Sequence, residues 1–232
     1  AGDGSWSPAE NLSNSSGASE SPHLVVAPSG IVHLVYNDFS GGIGNYYYTQ
    51  RGLDGNWSPR EQLSSSATGT YDARIALDGS GGLHVGWEDL SADVYYARRG
   101  SDGVWTTPLN LSANAYYSWG IQVVLDPDGT AHVVWSDDEG DTAASIRYRR
   151  RSPDGTWTAA EMVASSPCDL QEPLLVRAPD GTLHAAWTQA CGWSTSVHYA
   201  WRSAAGAWSM PEQVSPLLAP DHAGLTAATH PK

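Results

Sequence analysis

Apolar and polar residues alternate along this chain in runs of four to six, and Gly, Asp, Asn or Pro closes each run. The middle of the chain shows the pattern most cleanly. Ile121-Gln122-Val123-Val124-Leu125 reads as one strand, and Asp126-Pro127-Asp128-Gly129 supplies a tight turn. Ala131 to Ser136 is a second strand, with Val134 alternating against His132. Ile146 to Arg150 is a third, the Pro153-Asp154-Gly155 turn follows, and Trp157 to Val163 is a fourth. No stretch carries the 3.6-residue period of an amphipathic helix, so the fold class is all-β.

This four-strand unit recurs at a period near 50 residues. A Trp is followed six positions later by Leu or Val at Trp6/Leu12, Trp57/Leu63, Trp105/Leu111, Trp157/Val163 and Trp208/Val214. Between these lie Gly-x-x-His-x-x-aromatic elements at Gly30/His33/Tyr36, Gly81/His84/Trp87, Gly129/His132/Trp135 and Gly181/His184/Trp187. Tyr48/Arg51, Tyr96/Arg99, Tyr148/Arg151 and Tyr199/Arg202 complete each unit. Four strands at this period predict a β-propeller of four-stranded antiparallel blades. Residues 1–232 then read as one propeller domain with repeats at about 13–63, 64–111, 112–163 and 164–214. Flanking strands fall within 1–12 and 215–232. Trp6–Leu12 is expected as a leading fourth strand, and Ala223–Ala228 in the trailing stretch resembles a fifth first strand. Either a terminal strand seals a four-bladed ring, or the chain is a slice of a larger propeller completed elsewhere. Two ends that break mid-blade favour the slice, and with it self-association or a completing partner chain.

Aligning the repeats with one another separates two kinds of connection. Turns after the first and third strands, such as Pro127-Asp128-Gly129 and Asp154-Gly155, are short and nearly uniform. Connections between strands two and three, and between repeats, vary in length and composition. In an up-and-down blade the varied connections share one end, and loops on a rigid scaffold carry function. The varied end is the place to look for a site.

Charge narrows the partners. The formal net charge is -13 and the sole Lys is Lys232, which disfavours nucleic acid and anionic membranes. No apolar run is long enough for a spanning helix. The cysteines, Cys168 and Cys191, both sit in the fourth repeat, in loops expected at the same end. A disulfide between them implies an oxidising compartment, and the chain reads as extracellular or cell-surface.

The Asp-Gly-x-Trp and Asp-Gly-x-x-His-x-x-Trp elements from Trp6 to Val214 resemble those of bacterial sialidase-like, BNR-repeat propellers. The Asp-box of that family reads Ser-x-Asp-x-Gly-x-x-Trp. Ser101-Asp102-Gly103-Val104-Trp105 and Ser152-Pro153-Asp154-Gly155-Thr156-Trp157 are shorter. Sialidases also use an arginine triad, a Tyr nucleophile with a Glu partner and a Phe/Tyr-Arg-Ile-Pro motif. No such motif occurs here, and only Arg74 and Arg177 fall on first strands, nearest a central channel. The resemblance therefore implies the fold without the sialidase reaction.

Repetition also sorts the chemistry. His33, His84, His132 and His184 recur once per unit, as a packing solution does and a catalytic base does not. Each is expected to bond a neighbouring turn, with Asp126 or Asp128 as acceptor in the third repeat. Residues that differ between units are the candidates for ligand binding: Asp38, Asp89, Asp137, Gln189, Tyr71, Tyr117, Trp119, Glu172 and Trp193. Aromatic rings cover the apolar face of a pyranose while carboxylates and amides hold its hydroxyls, so a glycan is the expected ligand. Asp137, Asp138 and Asp141 form a weak candidate Ca²⁺ loop that lacks the spacing of a helix-loop-helix site, and no other cofactor is expected. Glu88 and Asp89 form the compact acidic pair, but neighbours on a strand point to opposite faces. The sequence thus favours a secreted carbohydrate-binding module over a structural or protein-interaction domain, and either over a hydrolase or lyase.

Overall fold

The computed structural model describes residues 4–140, 143–203 and 206–215. These form four antiparallel sheets of four strands, each ordered as in the sequence. Blade one holds β1 (Ser19–Val26), β2 (Val32–Asp38), β3 (Asn45–Arg51) and β4 (Glu61–Gln62). Blade two holds β5 (Thr70–Leu77), β6 (Leu83–Asp89), β7 (Asp93–Arg99) and β8 (Leu109–Asn110). Blade three holds β9 (Tyr117–Leu125), β10 (Ala131–Asp138), β11 (Ala144–Arg151) and β12 (Glu161–Ser166). Blade four holds β13 (Asp169–Arg177), β14 (Leu183–Cys191), β15 (Ser194–Arg202) and β16 (Glu212–Gln213). The first three strands of blade three outrun the sequence expectation by two to four residues. The fourth is shorter in three of the blades, and isolated bridges such as Arg51 to Trp57 prolong it.

Inside each blade the repeated His meets the repeated Tyr. His Nδ1 lies 2.8 Å from the Tyr hydroxyl in the His33–Tyr48 pair, 2.6 Å in His84–Tyr96, 2.7 Å in His132–Tyr148 and 2.6 Å in His184–Tyr199. The other ring nitrogen of His132 reaches Asp126 at 3.0 Å, and that of His84 reaches Asp78 at 3.2 Å. The turn aspartate is therefore an acceptor as expected, while the Tyr partner is a second, unforeseen half of the bond. Burial holds the affinity of His33, His84 and His132 for a proton below the ordinary value, so each serves as a neutral structural group.

Blades cohere through their faces. One apolar core lies between blades one and two, with Tyr46, Tyr48 and Leu63 against Ile75, Val85 and Trp87. A second joins Tyr96 and Leu111 to Ile121 and Trp135. The third joins Ile146, Tyr148 and Val163 to Leu175 and Trp187. At each interface the repeated Trp packs edge-on against the Tyr of the preceding blade: Trp105 on Tyr48 at 5.3 Å, Trp157 on Tyr96 at 4.9 Å and Trp208 on Tyr148 at 5.4 Å. Arg99 and Arg202 lie over the same Tyr rings at 5.0 and 5.2 Å. First strands run side by side from β1 to β5, β9 and β13, forming an inner wall, but no comparable contact among the described residues returns β13 to β1.

Trp6–Leu12 departs from expectation. It forms no strand, and Trp6 is 97% exposed. A fourth strand pairs with the third strand of its own blade, and the described residues contain no such partner for it. Leu12 instead lines a shallow groove with Thr49 and Trp57 on blade one. The expected fifth first strand, Ala223–Ala228, lies outside the described residues. Cys168 and Cys191 are bonded across the varied end of blade four, closing 23 residues of sequence.

Two stability measurements follow. In urea unfolding, Trp105→Ala should cost about 3 kcal/mol by emptying an inter-blade contact, whereas Trp6→Ala should stay within about 0.5 kcal/mol. Replacing Cys168 and Cys191 together with Ser should cost about 3 kcal/mol through loop entropy. A smaller loss would mean that the bond constrains little beyond what blade four already holds.

Candidate functional site

A recurrent backbone feature marks the varied end. Each first strand breaks register against its neighbour two or three residues from that end. The residue at the break has positive φ: Ser21 (50°), Asp72 (47°), Gly120 (70°) and Glu172 (50°). Only Gly120 is a residue for which this conformation is free. For the other three it costs on the order of 1 kcal/mol each. Such bulges bend a strand and re-aim its side chains, and they gather at functional sites. Here they set polar residues around the inner mouth of the blade array.

The mouth is richest where blade two meets blade three. Tyr71 stands opposite Glu88 in the β5–β6 ladder, and Asp72 follows at the bulge. Arg74 grips Asp72 with both guanidinium nitrogens, at 2.5 and 3.0 Å. The Glu88 carboxylate reaches across to blade three, where the Gly120 amide donates to it at 2.5 Å. The Gly120 bulge thus offers its amides as a small anion nest. Burial pushes the Glu88 carboxyl up to about 7, and the nearby Asp72 charge adds to the effect against the amides and Arg74. Tyr117 and Trp119 rise beside it on β9, their rings 5.5 Å apart. Burial, then the Glu88 and Tyr71 charges, raise the Tyr117 hydroxyl. On blade one, His23 takes the position equivalent to Arg74, and its buried Nδ1 has no hydrogen-bond partner. Burial, then Arg74, lowers its proton affinity. The mouth therefore combines a carboxyl that exchanges its proton near neutrality, a fixed ion pair and aromatic rings.

The sequence-derived candidates divide. Tyr71, Tyr117 and Trp119 come together at this mouth, with Tyr71 38% and Tyr117 45% exposed, and Glu172 takes the equivalent bulge position on blade four. Trp193 is 89% exposed at the tip of the β14–β15 turn on blade four. Asp38, Asp89 and Asp137 each form a repeated staple to the segment where the chain enters their own blade. Ser19 donates to Asp38 at 2.9 Å, Thr68 to Asp89 at 3.1 Å, and Ser118 to Asp137 at 2.7 Å. Asp38 and Asp137 are buried, and Asp137 also accepts the Trp135 indole N–H at 2.7 Å. Gln189, their counterpart, lies opposite Leu170 and donates weakly to Cys191 Sγ at 3.4 Å. In the acidic loop Asp138 accepts the Gly140 amide at 3.0 Å, and Asp141 lies outside the described residues. Among the described residues no group of three His, Cys, Asp or Glu converges as metal ligands do. Arg177 sits at the opposite end, paired with Asp126. Adjacency to Asp89 says nothing of the Glu88 surroundings, because its neighbours in space are Asp72 and Gly120, which no sequence spacing connects.

No known family model matches the chain, and no curated protein matches it in sequence. Solved structures do match in fold. A protein of unknown function from Dyadobacter fermentans superposes with a TM-score of 0.63 at 14% identity, over 83% of this chain and 68% of its own. A Hadza microbial sialidase gives 0.61 at 15% identity, over 85% and 47%. An α-L-arabinofuranosidase of Fusarium graminearum gives 0.57 at 10% identity, over 83% and 65%. The chain thus spans about half to two thirds of these proteins. At such identities the likeness is one of fold, and it agrees with an all-β propeller of four-stranded blades.

The Glu88 carboxyl should be visible directly. Difference infrared spectra between about pH 5 and pH 9 should contain a protonated-carboxyl band titrating near 7, missing in Glu88→Gln. Because its folded affinity for a proton exceeds the unfolded one, Glu88 contributes stability in full below the unfolded value of 4.5. That contribution fades as pH rises through about 7. A titration confined to the ordinary carboxylate range would contradict the buried environment.

Proposed function

We propose that this chain is a carbohydrate-binding propeller module that takes its glycan at the mouth between blades two and three. The observation that carries the reading is the set of half-exposed rings, Tyr71, Tyr117 and Trp119, beside the Asp72–Arg74 ion pair and the Glu88 carboxyl. Rings on adjacent first strands give a sugar an apolar platform, and the charged groups next to them offer donors and acceptors to its hydroxyls. The pair and the bulges hold these groups before a ligand arrives, which lowers the ordering cost of binding. Support of a coarser kind comes from the fold neighbours, two of which are a sialidase and an arabinofuranosidase. Binding is preferred to catalysis because both Asp72 oxygens are engaged by Arg74, which leaves Glu88 without a second unengaged carboxyl beside it among the described residues. The disulfide accords with an extracellular setting.

A glycan array, followed by calorimetry on the strongest ligand, tests the reading. Trp119→Ala and Tyr117→Ala should each weaken binding by about tenfold or more, roughly the worth of one stacked ring. Trp193→Ala on blade four should leave it within about twofold. A blank array from folded protein would sink the glycan reading and favour a protein-interaction role. Sugar binding that ignores Trp119 and Tyr117 but falls with Trp193 would move the site to blade four.

A further inference from the structure

Each blade in this chain carries one face for the blade before it and one for the blade after it, and among the described residues two of these faces have no blade packed against them. The following face of blade four is the barer. Val197 occupies the place of Tyr46, Val94 and Ile146, each of which is 0% exposed, yet it is 40% exposed. Val214 repeats Leu63, Leu111 and Val163, exposed by 7% at most, yet it is 56% exposed. Leu174 and Val176 on β13 and Trp201 on β15 are exposed beside them. Tyr199, whose three counterparts are each buried beneath a Trp of the next blade and two of them also beneath an Arg, is only half-buried. The face is a finished half of an interface that the chain builds three times elsewhere.

The leading face of blade one is the other half. Arg51 is bridged to Trp57 as Arg99 is to Trp105 and Arg202 to Trp208. Arg99 and Arg202, clamped on the blade before, are half-buried, whereas Arg51 is exposed. Leu24 is exposed, while its counterparts Ile75 and Leu175 lie in the inter-blade cores. Charge matches as well. In the first interface Glu61 accepts from Arg99 at 3.2 Å and from the Trp105 indole at 3.0 Å, and in the third Glu161 lies 3.6 Å from Arg202. The residue repeating Glu61 and Glu161 on blade four is Glu212, which is exposed.

We propose that the bare face of blade four is docked by the first blade of a second copy of this chain, head to tail. Arg51 and Trp57 of one copy then close over Tyr199 and Glu212 of the other, repeating the internal interfaces. Because the two surfaces differ, the contact is heterologous: two copies that meet at both ends close a ring of eight blades, and a rotation that misses closure gives a filament. The segment through Leu12 overlies Thr49 and Trp57 at the rim of this face and must shift to admit the incoming blade. It forms no strand that would hold it there. This interface uses the blade faces rather than the mouth, so it is independent of the glycan reading.

Sedimentation velocity of the intact chain over a wide concentration range tests the proposal. Concentration-dependent growth to a dimer or a filament is expected. Arg51→Glu and Glu212→Arg should each weaken it by about tenfold or more. An equal mixture of the two variants should recover wild-type association, because each then offers the other both a native and a charge-reversed contact. A chain that remains monomeric at all concentrations overturns the proposal. So does an association that neither substitution weakens, or one that the mixture fails to restore.

Discussion

The packing of one blade on the next is the interaction on which the rest of this structure depends. A four-stranded sheet of short strands has two apolar faces and cannot bury either alone. Here the burial is concentrated in a repeated contact: the Trp and Arg of one blade on the Tyr of the blade before. That Tyr is fixed from within its own sheet by the neutral His, so the intra-blade bond and the inter-blade contact share one side chain. Tyr148 shows the economy, with His132 at 2.7 Å on one side, Trp208 edge-on at 5.4 Å and the Arg202 guanidinium at 5.2 Å. Loss of the His bond would therefore loosen two levels of structure together, which explains why the whole set recurs as a block.

Much of this was legible because it repeats. A spacing that occurs four or five times identifies a structural role by recurrence, and the blades, strand order and end-to-end polarity all follow from it. The turn aspartate at His132 could be narrowed to Asp126 or Asp128, since both lie in the turn that precedes its strand, and Asp126 is the acceptor. The Tyr hydroxyl could not, because His132 and Tyr148 are joined by a ladder offset that is set only when the strands pair. Trp6–Leu12 marks the limit from the other side. Its residues match a fourth strand, but a strand is a property of two segments, and the one it requires is missing from the described residues.

The mouth was less legible, for a physical reason. Its residues are assembled by register and by bulges, neither of which leaves a motif. Ser21, Asp72, Gly120 and Glu172 share a backbone conformation across a hydroxyl, two carboxylates and a glycine, so no one residue type marks it. Glu88 and Asp89 point to opposite sides as strand neighbours must, but no motif tells that one meets the Gly120 amide and the other Thr68 and Ser91. The repeated acidic position after each strand-two aromatic carries a bond that no motif announces: Asp38, Asp89 and Asp137 each fasten the segment where the chain enters their own blade.

These two levels are coupled through the bulges. Because Gly120 packs against Pro173 of the next blade and its amide holds Glu88 of the blade before, the mouth is stitched across two interfaces at one residue. Side chains at the mouth are thus positioned by the same blade stacking that stabilises the fold, rather than by loops hung upon it. Rigidity of the aromatic platform is then a consequence of stability, and a blade face left open weakens the scaffold at the ends before it disturbs the centre. The arrangement places the densest cluster of aromatic and charged groups at the mouth between blades two and three, the interface flanked on each side by a further complete one.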